Sequence, residues 1–149
     1  MKSLVLTVAL IGICFSPHAI CAETHTTISK QDRIAIDTIA SKFADRLTAS
    51  DAKGVVAVFA NSSPLMSGKT AEISNLEGQV QTALNIYGKV GFVELVSEQV
   101  LGTSAIHRYY LVRHEKLVTR WQLDFALSSG GWTMTYFGFD DQQRTWFKD

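Results

Sequence analysis

Ser104-Ala105-Ile106-His107-Arg108-Tyr109-Tyr110-Leu111-Val112-Arg113-His114, then Glu115-Lys116, then Leu117-Val118-Thr119-Arg120-Trp121-Gln122-Leu123-Asp124-Phe125-Ala126-Leu127, is the stretch that decides the fold. Side chains on both limbs alternate in character with a period of two, the mark of strands with one buried face. Glu115-Lys116 is short enough to be a hairpin loop. Taken as a two-residue loop, it sets His114 opposite Leu117, Val112 opposite Thr119, Tyr110 opposite Trp121, Arg108 opposite Leu123 and Ile106 opposite Phe125. That face is strongly apolar. A slip of one residue would turn the whole set to water, so the register is firmly specified.

Working outward, Phe92–Leu101 and Trp132–Phe139 have the same alternating character, and Gly102-Thr103 and Ser129-Gly130-Gly131 supply the remaining turns. The Gly102-Thr103 turn brings Val93, Leu95, Ser97, Gln99 and Leu101 onto the apolar face. On the far side, the last strand sets Leu127 against Trp132, Phe125 against Met134 and Leu123 against Tyr136. The opposite face then holds Glu98, His107, Asp124 and Thr135 in one row, with Tyr109, Val118, Phe137 and Phe139 beside them.

Upstream of residue 92 the pattern is helical. Ser29 with Asp32 opens a helix, and Ile36, Ile39, Ala40, Phe43, Ala44 and Leu47 form its buried stripe. Asp51 caps a second helix bearing Val55, Val56 and Phe59. Asn61 to Thr70 reads as a loop, with Pro64-Leu65-Met66 as a short edge strand. Ser74-Asn75-Leu76-Glu77 is a capping box opening a third helix, and Gly88 closes it. The fold class is α+β: three N-terminal helices packed on a four-stranded antiparallel meander.

The chain has 149 residues. Lys2 followed by an uncharged apolar run from Leu4 to Phe15 has the shape of a secretory signal. The run is shorter than the roughly 18 to 20 residues a membrane span needs. Cleavage after Ala22 leaves a short tail at 23–28 and one domain at 29–149. A lipoprotein signal at Cys21 is the competitor, and bulky Ile20 with His18 counts against it. Both cysteines, Cys14 and Cys21, leave with the signal, so no disulfide or cysteine metal site is expected in the mature domain. The expected address is exported, periplasmic or secreted, without a stable membrane anchor after cleavage.

Lys and Arg together number 14, as do Asp and Glu. Loss of Lys2 leaves a slight acidic excess and no basic run, which argues against nucleic acid as a partner. Asn61-Ser62-Ser63 matches a glycosylation acceptor, but polar turn residues after a helix are the stronger reading. The remaining histidines lack metal-ligand spacing. Neither a metal nor a cofactor is expected.

Three helices, a meander, then Gly131-Trp132 opening the last strand resemble the nuclear transport factor 2-like superfamily. Phe43 to Asp51, Arg120-Trp121-Gln122-Leu123-Asp124-Phe125 and Phe137-Gly138-Phe139-Asp140-Asp141 carry the likeness. The resemblance covers nearly all of the mature domain. It implies a cystatin-like cone with a pocket between helices and a curved sheet. The superfamily hosts ketosteroid isomerases, dehydratases, polyketide cyclases, epoxide hydrolases and non-catalytic binding domains, so fold alone selects no activity.

Enzymes of that superfamily mostly use carboxylates or a His-Asp pair inside the cone. The register above places no Asp or Glu on the helix-facing side of the sheet, although Asp37 or Asp45 could reach a pocket from helix one. Arg108, with Tyr110, Trp121 and Tyr136, is the candidate ligand-binding set, an anchor for an anionic group in an aromatic pocket. The competing reading is an Arg whose stem is buried and whose head reaches water at an open end. His107 opposite Asp124 is the candidate acid/base pair; an exposed charge row is the simpler reading, since the pocket belongs on the other side.

These observations favour an exported, non-catalytic domain that binds a small apolar or amphipathic ligand, or a protein partner. The alternative is an isomerase-, dehydratase- or cyclase-type enzyme with a pocket between helices and sheet. A homodimer through the outer sheet face, with Phe137, Phe139, Val118 and Tyr109 in contact, is the third possibility.

Overall fold

The computed structural model describes residues 28–147. The signal segment 1–22, Cys14, Cys21, His25 and most of the tail lie outside the described residues. Ile28, assigned above to the tail, is buried with the core.

Helix α1 spans Lys30–Thr48, α2 Ala52–Ser62 and α3 Thr70–Tyr87. Ser29 caps α1 by accepting from the Asp32 amide at 3.1 Å, while its hydroxyl donates to the Asp32 carboxylate at 2.6 Å. Ile36, Ala40, Phe43 and Leu47 form the buried stripe. The Asp51 side chain caps α2 through the Gly54 amide at 2.8 Å. Two local expectations fail here. Pro64–Met66 is a 3-10 turn that buries Met66, and not an edge strand. Helix α3 begins at Thr70, ahead of the capping box, with Lys69 providing no side-chain cap. Starting early continues the apolar stripe backward, so that Ile73 as well as Leu76 packs on the core. Gly88 ends α3 with φ +86°, a conformation glycine adopts without steric cost.

Strands β1 (Val90–Leu101), β2 (Ala105–His114), β3 (Val118–Ser128) and β4 (Gly131–Asp140) form one antiparallel sheet in sequence order. Between β2 and β3 the register is the one the alternation requires: Ile106 faces Phe125, Arg108 faces Leu123, Tyr110 faces Trp121 and Val112 faces Thr119.

The outer strands differ. The β1–β2 turn takes in Ser104 as well, so Leu101 pairs with Ala105 and not with Ser104. This moves Glu98 opposite Arg108 and Val100 opposite Ile106, onto the helix-facing side. A bulge between Leu95 and Ser97 then restores Leu95 opposite Tyr110 and Val93 opposite Val112. Ser97 and Gln99 therefore face outward, with Tyr109 and His107. In β4, Leu127 faces Trp132 and Phe125 faces Met134 as expected. A bulge next to Asp124 then shifts Tyr136 opposite Asp124, Phe137 opposite Leu123 and Phe139 opposite Trp121. Phe137 is a core residue, and Phe139 packs against the core. The outer-face contact built on Phe137 and Phe139 loses both aromatic anchors.

The three helices cover one face of the sheet. Phe137 meets Phe43 at 5.4 Å and Phe59 at 5.1 Å between ring centroids, both edge-on, and Trp121 stacks on Phe139 at 4.6 Å. Large side chains buried this way contribute about 1.5–3 kcal/mol each.

Candidate functional site

Arg108 projects from β2 beneath α1 and is only 4% exposed. A buried cation without partners would be expensive. Here Nε donates to Glu98 at 2.9 Å, one terminal nitrogen reaches Asp37 at 2.7 Å and Glu98 at 2.8 Å, and the other approaches the Tyr110 hydroxyl at 3.4 Å. Arg33, one turn before Asp37 on α1, adds a 2.7 Å bond to Glu98. The guanidinium is thus neither an open anion anchor nor a head reaching water. Its charge is met by two carboxylates, the partly buried Glu98 and the exposed Asp37.

The electrostatics of this cluster oppose acid/base chemistry. Burial alone would raise the Glu98 carboxyl, but hydrogen bonds from Arg33 and Arg108 outweigh it and hold the pKa below the ordinary value. A carboxyl acting as general acid near neutral pH needs the reverse shift. Arg108 is held cationic: burial works against its charge, and Asp37, Tyr110 and Glu98 more than compensate. Burial pushes the Tyr110 hydroxyl up, partly opposed by Arg108.

Tyr110 and Trp121 lie on the helix-facing side as expected, and both are buried. The Trp121 indole donates to Thr119 Oγ1 at 2.9 Å, so it is packed and hydrogen-bonded. The void bounded by Phe43, Leu47, Tyr110, Trp121 and Leu123 is only ≈ 10 Å³, at the lower limit for a single water. Tyr136 does not join this set. The β4 bulge turns it away, 49% exposed, and it lines an outside cleft with Phe59, Met66 and Leu76.

His107 and Asp124 are brought together on the opposite face. Nδ1 is hydrogen-bonded to the carboxylate at 2.6 Å, and Gln122 donates to the same carboxylate at 3.2 and 3.3 Å. Tyr109 packs edge-on to the imidazole at 4.4 Å. Arg120, paired with Asp140, lies 4.7 Å over the Tyr109 ring and 5.7 Å over Trp146. The dyad geometry is present on an open sheet face. Neither residue lines the cone or the cleft beside Tyr136.

Sequence reasoning missed Glu98 as an inward residue. The available signal was the parity of β1: Val93 and Leu95 are odd, whereas Val100 is even, so both sets can be apolar on one side only if a residue is inserted between them. Among the described residues, no group of three or more His, Cys, Asp or Glu could hold a metal, and no helix is long and apolar enough to cross a membrane.

Comparison with known proteins gives the same architecture. No protein-family model matches the chain, and no curated protein does. A domain of unknown function with a cystatin-like fold from Nostoc punctiforme superposes with a TM-score of 0.53 at 10% identity, covering 80% of this chain and 84% of that one. An NTF2-like protein with a cystatin-like fold from Novosphingobium aromaticivorans gives 0.43 at 13% identity, covering 80% and 90%. A Campylobacter jejuni protein described as an NTF2-like transpeptidase gives 0.49 at 13% identity, covering 66% and 95%. At this identity the likeness is one of fold: the chain shares the cystatin-like architecture of the Nostoc punctiforme domain.

Proposed function

We propose that the mature domain is an exported, non-catalytic binding module that takes up an extended segment of a partner protein along the free edge of β1. The observation that carries this reading is the edge itself. β1 runs for 12 residues and pairs on one side only, with β2. Large apolar side chains are exposed on both of its faces: Leu95 and Val100 on the helix side, Phe92 and Leu101 on the other, with Val96 at the bulge. Leu101 is 79% exposed. Of the devices that blunt edge strands, β1 lacks lysine and proline. It carries a bulge and the inward charge of Glu98, so an added segment would pair along the runs on either side of the bulge. An added strand would satisfy the unpaired backbone and cover both rows of side chains at once. Glu94 is exposed and has no ion-pair partner among the described residues, so the incoming segment is expected to carry a Lys or Arg opposite it.

A small apolar ligand in the cone and an isomerase-type reaction there both need room. The void beside Trp121, at ≈ 10 Å³, offers none, and a small apolar ligand would have to use the ≈ 350 Å³ cleft beside Tyr136 instead. The exported address rests on the N-terminal sequence pattern. N-terminal sequencing of protein recovered outside the cytoplasm should begin at Glu23.

Peptide display against the purified domain tests the reading. Selected peptides should alternate apolar and polar residues and include a basic one. A Val96→Lys/Leu101→Lys variant should melt like the parent and bind those peptides about tenfold more weakly. Peptides indifferent to the edge lysines would overturn the proposal. So would a native mass spectrum showing a stoichiometric apolar molecule held until the protein unfolds.

A further inference from the structure

Two clefts on the described surface meet. One, of ≈ 490 Å³, lies between α1 and α2 and is lined by Lys42, Arg46, Asp51 and Lys53. The other, of ≈ 750 Å³, lies between the end of α2, the 3-10 turn and the β3–β4 hairpin, where Ser63, Ser128 and Trp132 line it. Ile39, Asn61 and Ser62 line both, so the two form one groove with a basic end and a hydroxyl-rich end.

We propose that this groove binds a small anionic ligand bearing several hydroxyl groups, an acidic sugar in chemical class. Its acid group lies at Lys42 and Lys53 and its hydroxyls lie along Asn61 to Ser63. Charge supports the basic end. Arg46 is paired with Asp51 at 3.2 Å, whereas Lys42 and Lys53 have no ion-pair partner among the described residues. This is a local excess in a chain with equal numbers of acidic and basic residues. Gly54 shapes the floor, because a Cβ there would collide with the Asp51 carboxylate and the Arg46 stem that close over it.

The polar end has an independent mark. Ser63 Oγ and Trp132 Nε1 are the two buried side-chain polar atoms without a hydrogen-bond partner among the described residues, and both residues line the same cleft. Ser63 is 3% exposed and Trp132 8%. Leaving such a group unmet costs about 1–3 kcal/mol, which a fold rarely retains without use. The Trp132 indole N–H lies near enough to Asp32 to help lower that carboxyl, after the larger effect of Ser29, yet closes no good hydrogen bond with it. Both residues line the cleft while both atoms are buried, so ligand hydroxyls can reach them only if the 3-10 turn and the hairpin move apart on binding.

Titration of the ¹⁵N-labelled protein with glucose 1-phosphate, glucuronate, inorganic phosphate and glucose tests the site. At least one of the two acidic sugars should bind about tenfold more tightly than either phosphate or glucose alone. The tighter of the two identifies the acid group. The Ser63 amide and the Trp132 indole resonances should move. Lys42→Glu/Lys53→Glu, which alters only exposed side chains, should weaken binding about tenfold. Ser63→Ala should weaken it about threefold without lowering Tm, because it removes an unmet hydroxyl. Phosphate matching the acidic sugars would reduce the site to a charge patch and overturn the proposal. Unmoved Ser63 and Trp132 resonances would do the same. The Val96→Lys/Leu101→Lys variant should bind the sugar like the parent, so failure of the β1 reading and failure of this one are separable.

Discussion

Arg108 shows how a single side chain can decide what a cavity is for. Its guanidinium sits in the interior with Glu98 and Asp37 around it, and these are unequal partners: the Glu98 side chain is 20% exposed and the Asp37 side chain 58%. Breaking a buried pair by removing one member costs about 3–5 kcal/mol, since the other charge is stranded. Arg108→Ala should therefore destabilise by about 3 kcal/mol, toward the lower end because Glu98 keeps some water and Arg33. Asp37→Ala should cost about 1 kcal/mol or less, as expected for a solvent-screened carboxylate. Urea denaturation of both variants checks the ranking, and equal losses would contradict it. His114 is the second such residue. Nδ1 donates to the Gly88 carbonyl at 3.1 Å, and Nε2 accepts from the Thr119 hydroxyl at 3.0 Å, which in turn accepts from Trp121. This chain fixes the neutral imidazole, whose pKa burial lowers against a smaller opposing effect of the Gly88 bond.

Among the elements, β4 carries the largest consequence. Trp132 and Met134 are even-numbered core residues, while Phe137 is odd, and one inserted residue reconciles them. Because the bulge sends Phe137 between Phe43 and Phe59, the cone is filled by a ring where Tyr136 would have left a hydroxyl. Phe137→Ala should cost about 3–5 kcal/mol, the range for a buried aromatic truncated to Ala. It should also open a dry apolar cavity able to take benzene, seen as ligand-dependent shifts of neighbouring methyl resonances. Tyr136→Ala should change stability by about 1 kcal/mol or less. The reverse order would mean that β4 runs in the unbulged register. In β1 the same device acts on charge: the three-residue turn and the bulge bring Glu98 under α1 and leave Leu95 and Leu101 at a bare edge.

For the molecule as a whole, the depressed pKa values of His114, Glu98 and Asp32 set the direction of its pH response. The folded state binds a proton at His114 less readily than the unfolded chain does. Stability is therefore full above the ordinary histidine value near 6.5 and declines as pH falls below it. Glu98 behaves likewise below the ordinary carboxylate value near 4.5, where protonation removes its bonds to Arg33 and Arg108. Tm measured from pH 8 to pH 3 should fall in two stages. His114→Asn should flatten the first stage and Glu98→Gln the second. A Tm that rises on acidification through pH 6 would contradict the assignment.

The amino-acid sequence by itself determined the fold class, the order of the elements, the caps at Ser29, Asp51 and Gly88, and the central hairpin with Arg108 inward and His107 and Asp124 outward. All of these depend on interactions within a helix or between two strands joined by a short loop, so local pattern is sufficient. Where sequence reading failed, in β1, in β4 and at the start of α3, a single inserted residue or an early helical turn was the cause. Such choices are made by whichever arrangement best fills the space between helices and sheet, a quantity no strand carries alone. Only the tertiary structure decided that Glu98 and Asp37 would neutralise Arg108, that Phe137 would occupy the cone, and that the β1 edge and the groove between α1 and α2 would be among the surfaces left open.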